Sequence, residues 1–215
     1  MPHITSCSAF PSGLRRASLL LIAALVGIAA SGCASKFPAA PQQASGNADY
    51  GYLIGPGDNL NIVIWRNPEL SASVPVRPDG MITTPLVEDI KATNKTPTQL
   101  AREVEKALAK YIQDPIVTII VTGFVGPYSE QVRIVGQAAR PQTLPYRQNM
   151  SLLDVMIAVG GVTDFAAGNR ATILRTKEGN TQYRVRLNDL LQKGDVSANV
   201  DMRPGDVLII PESYF

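Results

Sequence analysis

Between Tyr52 and Leu86 two turn signals are set close together among short extended runs, and that spacing leaves room for short strands. Pro56-Gly57 has tight-turn chemistry: Pro presets φ, and Gly accepts the positive φ that a type II turn needs. A strand follows, with Leu60, Ile62 and Ile64 on one face and Asn59 and Asn61 on the other. Pro78-Asp79-Gly80 is the second signal, between two short extended runs. The first device returns near the end of the chain as Arg203-Pro204-Gly205-Asp206, ahead of Val207-Leu208-Ile209-Ile210. The folded part thus opens and closes with a turn feeding a buried strand.

The best helix signal follows. Thr96 is an N-cap, Pro97 takes the first helical position, and Gln99 completes a capping box. Leu100, Val104, Ala107, Leu108 and Tyr111 share one face, and Arg102, Glu103, Glu105, Lys106 and Lys110 face solvent. Asp114-Pro115 ends this helix, and Ile116 to Thr122 reads as a strand covered on both sides. Gly126-Pro127 marks a domain boundary.

Beyond it come strands at Gln131–Gly136 and Thr143–Tyr146. A helix capped by Ser151 and Asp154 follows, with Leu152, Leu153, Val155, Met156 and Val159 as a broad apolar face. Gly160-Gly161 stops it. Strands from Ala171 and from Thr181, a short helix at Asn188–Gln192 and a closing strand at Val207–Pro211 complete the chain. Two strands, a crossing helix, then more strands is β-grasp order. The expected fold class is α+β: a small strand-rich domain with one helix, then a β-grasp domain.

Two runs, G-P-G-D-x-L-x-I-x-I-W from Gly55 and V-R-P-D-G-x-I-x-x-P-L from Val76, resemble the N-terminal domain of bacterial outer-membrane polysaccharide export lipoproteins. V-x-x-x-G-Q-A-x-x-P-Q-T-L-P from Val132 and S-L-L-D-V-M-I-A-V-G-G from Ser151 resemble one soluble-ligand-binding β-grasp (SLBB) domain. The expected division is a signal peptide at 1–32, a flexible tether at 33–49, the export domain at 50–126 and the SLBB domain at 127–215.

The N-terminus carries its own signal. Arg15 and Arg16 precede Ala17 to Ala30, an uncharged, mostly apolar stretch. A span needs about 20 residues, and this stretch is shorter, so it fits a signal h-region. Ala30-Ser31-Gly32-Cys33 resembles a lipobox, with Ala30 where Leu is usual; Cys33 would take the diacylglyceryl group. An ordinary secretory signal or an anchor helix are the alternatives, and the flanks of Arg15-Arg16 fit twin-arginine export poorly. Ala34 follows the cysteine where Asp would favour inner-membrane retention, so the resemblance points to the outer membrane, periplasmic side. Ser35 to Asp49, small and polar with Pro38 and Pro41, suits a spacer.

The chain has two cysteines and one histidine, and Cys7 and His3 would leave with the signal. Zinc sites built on His and Cys, and Ser-His or Cys-His nucleophiles, are then excluded from the mature chain. No cofactor, metal or catalytic residue is expected. Removing Arg15 and Arg16 from the 20 basic residues leaves 18, matching the 18 acidic ones; with no basic run, a nucleic-acid partner is not expected. Asp58, Asp79 and Asp206 sit in turns, where side-chain-to-backbone bonding explains them better than a glycosidase carboxylate pair. Trp65 and Tyr183 are the candidate glycan contacts, with core packing as the alternative. Asn94-Lys95-Thr96 and Asn149-Met150-Ser151 match glycosylation sequons but read as helix starts. Phe215 suits a barrel terminus, but no set of alternating ten-residue strands supports one.

The resemblance implies a lipid-anchored component, not an enzyme, that forms a ring of identical subunits around a conduit for exported polysaccharide. It also implies docking to an inner-membrane copolymerase or chain-length protein. With one SLBB unit and no terminal spanning segment, the expectation is a periplasmic collar served by a separate outer-membrane β-barrel. A glycan- or ligand-binding lipoprotein without a transport role is the competing reading.

Overall fold

The computed structural model describes residues 37–41 and 50–213. The expected signal peptide, Cys33 and most of the tether lie outside them.

The first domain is a three-stranded antiparallel sheet with one helix and a hairpin. β1 (Asn59–Ile64) lies between β2 (Ala72–Pro75) and β5 (Val117–Gly123). Alternation puts Leu60, Ile62 and Ile64 in the core, as expected. β3 (Met81–Thr84) pairs with β4 (Val87–Lys91), turning at Leu86 with φ +67°. The Pro78-Asp79-Gly80 turn therefore joins strands of two different sheets. It closes with Gly80 N–H donating to Arg77 O at 2.8 Å.

Helix α1 (Pro97–Leu108) carries the predicted capping box: Gln99 N–H donates to Thr96 Oγ1, and Thr96 N–H to Gln99 Oε1. Leu100, Ala101, Val104 and Leu108 are buried against the sheet. Tyr111 departs from the expected face. The helix ends at Leu108, the chain tightens so that Ile112 packs on the core instead, and Tyr111 is exposed. β5 also departs from expectation. Val117 and Ile119 face the core, but Ile120 is 48% exposed, because α1 covers one side of this sheet only.

The second domain is a five-stranded mixed sheet in the order β7-β6-β10-β8-β9. β6 (Gln131–Gly136) and β10 (Asp206–Ile210) run parallel at its centre, flanked by β7 (Thr143–Pro145), β8 (Thr172–Arg175) and β9 (Thr181–Arg184). α2 (Leu152–Val159) crosses one face and α3 (Leu187–Gln192) precedes the last strand. This is a β-grasp, so the α+β expectation holds. α2 has its capping box at Ser151 and Asp154, and ends at Gly160 with φ +78°. Its buried face is Leu152, Val155, Met156 and Val159; Leu153 and Ile157 point to solvent.

Residues 37–41, expected within the tether, are not free of the fold. Ala40 is buried in the second core, and Pro38 and Ala40 bond to Arg184 on β9. The segment is short and apolar enough to add to an open sheet edge, and β9 offers one.

Candidate functional site

Two turns that share Pro-Gly-Asp flank the segment connecting the domains, one beside Gly126 and the other beside Ser129. At Gly55-Pro56-Gly57-Asp58, Asp58 N–H donates to Gly55 O and Gly55 N–H donates to Asp58 Oδ2 at 2.9 Å. At Arg203-Pro204-Gly205-Asp206, Asp206 N–H donates to Arg203 O and Arg203 N–H to Asp206 Oδ2 at 2.8 Å. Gly57 and Gly205 both have φ +89°, as such turns require. Both aspartates are buried, Asp58 and Asp206 each fixing its own turn. Asp79 is exposed; it takes a hydrogen bond from Met81 N–H and pairs with Arg77, which also pairs with Asp89.

Asp58 reaches further than its turn. Its Oδ1 accepts from Val125 N–H at 2.7 Å and Gly126 N–H at 2.8 Å, and its Oδ2 from the Tyr52 hydroxyl at 2.7 Å. Burial, then this hydrogen bond, push the Tyr52 phenol well above its usual range. Gln131 Nε2 donates to the carbonyls of Val125 and Gly126, tying the same loop to β6. Tyr50 stacks edge-on against Tyr146 at 5.0 Å, and burial followed by nearby Glu130 raises its phenol to about 12.

Asp206 lies in a buried ion pair. Arg175 Nε stands 3.7 Å away, with its guanidinium 5.1 Å over the Tyr183 ring. Burial lifts the Asp206 carboxyl above the usual carboxylate range, against the bond from Arg203 N–H and the charge of Arg175. Tyr183 is half-buried and its hydroxyl donates to Glu178 Oε2 at 3.0 Å, so its ring and its polar tip are both engaged. Arg203 and Glu178 form a further ion pair beside it.

Trp65 is placed differently. It extends β1, its N–H donates to Ile116 O, and its side chain is 65% exposed. Strand register puts Asn59, Asn61 and Val63 on the same outward face, with Ser73 and Pro75 from β2 and Thr118, Ile120 and Thr122 from β5. None of these outward residues is charged. Aliphatic, aromatic, hydroxyl and amide groups alternate across an open sheet face. Trp65 and Tyr183 stand on sheets of different domains, and the structure does not bring them together. Sequence reading named Trp65 but missed Ile120, Ile116 and Val63; the alternation of Thr118, Ile120 and Thr122 was the signal for an exposed face.

Two grooves remain. One, of about 450 Å³, is lined by Leu144, Arg147, Met150, Asp154 and Ile157 beside α2. The other, about 340 Å³, lies at the joint, between Pro56 and Phe124 on one side and Thr143 and Pro145 on the other. Among the described residues no group of three or more His, Cys, Asp or Glu is placed to hold a metal ion, and no helix is long and apolar enough to cross a membrane.

Residues 46–122 match the model of the polysaccharide biosynthesis/export protein family, and residues 130–210 match the SLBB domain. The chain thus carries a polysaccharide biosynthesis/export domain followed by an SLBB domain. Its similarity to curated proteins runs through both domains. It is 27% identical over 198 residues to the EPS I polysaccharide export outer membrane protein EpsA of Ralstonia nicotianae, covering 77% of this chain and 51% of that one. The capsule polysaccharide export protein BexD of Haemophilus influenzae is 23% identical over 184 residues, covering 76% and 44%. The capsule polysaccharide export outer membrane protein CtrA of Neisseria meningitidis is 27% identical over 171 residues, covering 71% and 42%. The chain thus spans about half the length, or less, of these relatives.

Proposed function

We propose that this protein is a lipid-anchored periplasmic component of a polysaccharide export machine at the outer membrane. The observation that carries this is the succession, in one chain, of an export-family domain and an SLBB domain, hydrogen-bonded to the loop between them through Asp58 and Gln131. The relatives named for export of capsule or extracellular polysaccharide share that succession. In this reading Cys33 carries the lipid. Identical subunits form a ring that lines part of the conduit, and an inner-membrane copolymerase delivers the glycan. A separate outer-membrane barrel completes the path. The glycan passes unmodified. The uncharged face around Trp65 suits it, since an aromatic ring packs on the apolar face of a pyranose while Asn61, Ser73 and Thr118 meet hydroxyls. Tyr183, covered by Arg175, would contribute only if that cover moves.

The test is surface polysaccharide in a strain lacking this gene. Loss that wild type restores and Cys33→Ala does not would support export and a required anchor. Unchanged surface polysaccharide, with no second copy of the gene, would overturn the reading. The groove of about 450 Å³ beside α2 favours a second reading, a ligand-binding lipoprotein, since small-molecule sites span ~300–1,000 Å³. Such a module would run as a monomer in detergent, whereas the conduit component would run as a large oligomer.

A further inference from the structure

Strand alternation gives β6 two faces. Val132 and Ile134 enter the second core, so Gln131, Arg133 and Val135 face the other way. Gln131 stands opposite Pro145, and Arg133 opposite Thr143 on β7 and Val207 on β10. Gln131 meets the loop that closes the first domain, through the carbonyls of Val125 and Gly126. Arg133 lies two residues further on, about 7 Å away along the same face. Gln131, Thr143 and Pro145 all line the groove of about 340 Å³ at the joint, so Arg133 stands at its rim.

Arg133 is half-buried and lacks a counter-charge. Its Nε is buried with no acceptor, and among the described residues no carboxylate pairs with it. Glu130 and Asp206, the acids at the starts of β6 and β10, are already paired with Lys177 and Arg175. Taking a guanidinium partly out of water is costly unless an anion meets it.

The groove beside it holds two exposed rings and no charged residue. Phe124 is held edge-on by Tyr52 at 5.3 Å, and the Tyr52 hydroxyl is in turn fixed on Asp58. Tyr128 begins the short 3-10 turn that follows Pro127. The alternation that exposes Thr118, Ile120 and Thr122 on β5 continues to Phe124. The groove is therefore the end of the uncharged face that starts at Trp65. From Ile116, which Trp65 bonds, to Phe124 is eight residues, about 27 Å.

We propose that the groove is a subsite for an acidic sugar, with Phe124 and Tyr128 against the sugar ring and Arg133 on its carboxylate. The polysaccharide then carries a carboxylated sugar, a uronic acid in the simplest case, among neutral ones. The proposal rests on the reading of this protein as an export component. A pyranose lays its apolar face on an aromatic ring, and its hydroxyls suit Thr143 and the Tyr128 hydroxyl. A planar guanidinium meets a carboxylate through two parallel hydrogen bonds, a geometry that lysine does not reproduce. The uncharged face accommodates the neutral residues, and the single cation at its end selects the acid. An acidic protein partner would find no second cation along that face.

The test uses the full protein in detergent and the surface polysaccharide of the strain that makes it, cut into short fragments. One portion is kept as isolated. In the other, carbodiimide activation and borohydride reduction turn each carboxylate into a neutral hydroxymethyl group. Calorimetry should show the reduced fragments binding about tenfold or more weakly than the native ones, as expected for one charge-assisted pair. Arg133→Gln should bring the native fragments down to the level of the reduced ones, and Arg133→Lys should recover part of the difference. Phe124→Ala should weaken both. A polysaccharide without carboxylates, equal binding of the two portions, binding of neither, or a difference that survives Arg133→Gln overturns the proposal. So does an Arg133→Gln variant with intact fragment binding and a smaller detergent oligomer, since Arg133 would then face protein. The comparison of fragments needs only wild type, so a variant that fails to fold does not leave the proposal open. Surface polysaccharide in the strain lacking this gene tests export by itself, so its failure is distinguishable from failure of the subsite.

Discussion

Asp58 Oδ1 accepts the Gly126 amide at 2.8 Å across 68 positions of sequence. The turn that opens the first domain is thereby bonded to the loop that closes it. Gln131 holds the other side of that loop, so one carboxylate fixes both the first domain and the joint. Asp58→Ala would orphan the amides of Gly55, Val125 and Gly126 and the Tyr52 hydroxyl. Each unsatisfied buried donor costs about 1–3 kcal/mol, and water can reach only part of this site, so a loss of about 3–5 kcal/mol is expected. Asp79→Ala, in an exposed turn, should cost less than about 1 kcal/mol. Urea unfolding followed by circular dichroism compares them; equal midpoints would refute the special role of Asp58.

Two aspartates should impose opposite pH dependences. Burial raises the Asp206 carboxyl, so its native state holds a proton more readily than the unfolded chain. Its favourable contribution is present below the unfolded pKa of about 3.9 and is lost as pH rises through the folded value. Asp154 is lowered, first by the Ser151 N–H that it accepts, then by the Ser151 hydroxyl. Its contribution is present above the unfolded value and is lost as pH falls. Relative to wild type, Asp206→Asn should therefore look better at pH 7 than at pH 4, and Asp154→Asn worse. Unfolding free energies at both pH values check the signs.

What the sequence made legible was local chemistry. The Pro-Gly-Asp turns, both capping boxes and the Gly160 stop depend on residues within four positions of each other, and all stand in the structure. The helix periodicity through Leu108 was equally local, but its extension to Tyr111 failed, because the core takes Ile112 instead. Ile120 was misread because β-branched composition does not say which strand face a helix will cover. Asp58 was read as a turn residue. Its partners at Val125 and Gly126 are fixed by tertiary contact, as is the docking of Ala40 on β9, and no local pattern encodes either.

The face around Trp65 should separate function from stability. Trp65 and Ile120 are exposed, so Trp65→Ala and Ile120→Ser should each shift stability by no more than about 0.5 kcal/mol. If this face meets glycan, the same variants should lower surface polysaccharide at unchanged protein level, and the double variant more than either single one. Full export by the double variant would remove the face from the conduit. Reduced protein abundance would instead show that the residues support the fold.

The closing turn gives a sharper structural test. Gly205 and Gly179 both have positive φ, +89° and +69°. An added Cβ at Gly179 meets nothing within 4 Å, whereas at Gly205 it would sit 2.6 Å from Ser129 O, a backbone atom of the segment leading into β6. Both alanine variants bear the left-handed backbone cost of about 1–2 kcal/mol. Gly205→Ala must in addition displace backbone at the joint, and its Cβ would also crowd Thr176 Oγ1, which donates to Gly205 O, at 3.3 Å. Gly179→Ala should therefore lower the melting temperature by a few degrees, at about 2–4 °C per kcal/mol for a chain of this size. Gly205→Ala should lower it at least twice as far. Equal shifts would mean that the turn can move away from Ser129, and that the close approach of the closing turn does not help to hold the joint.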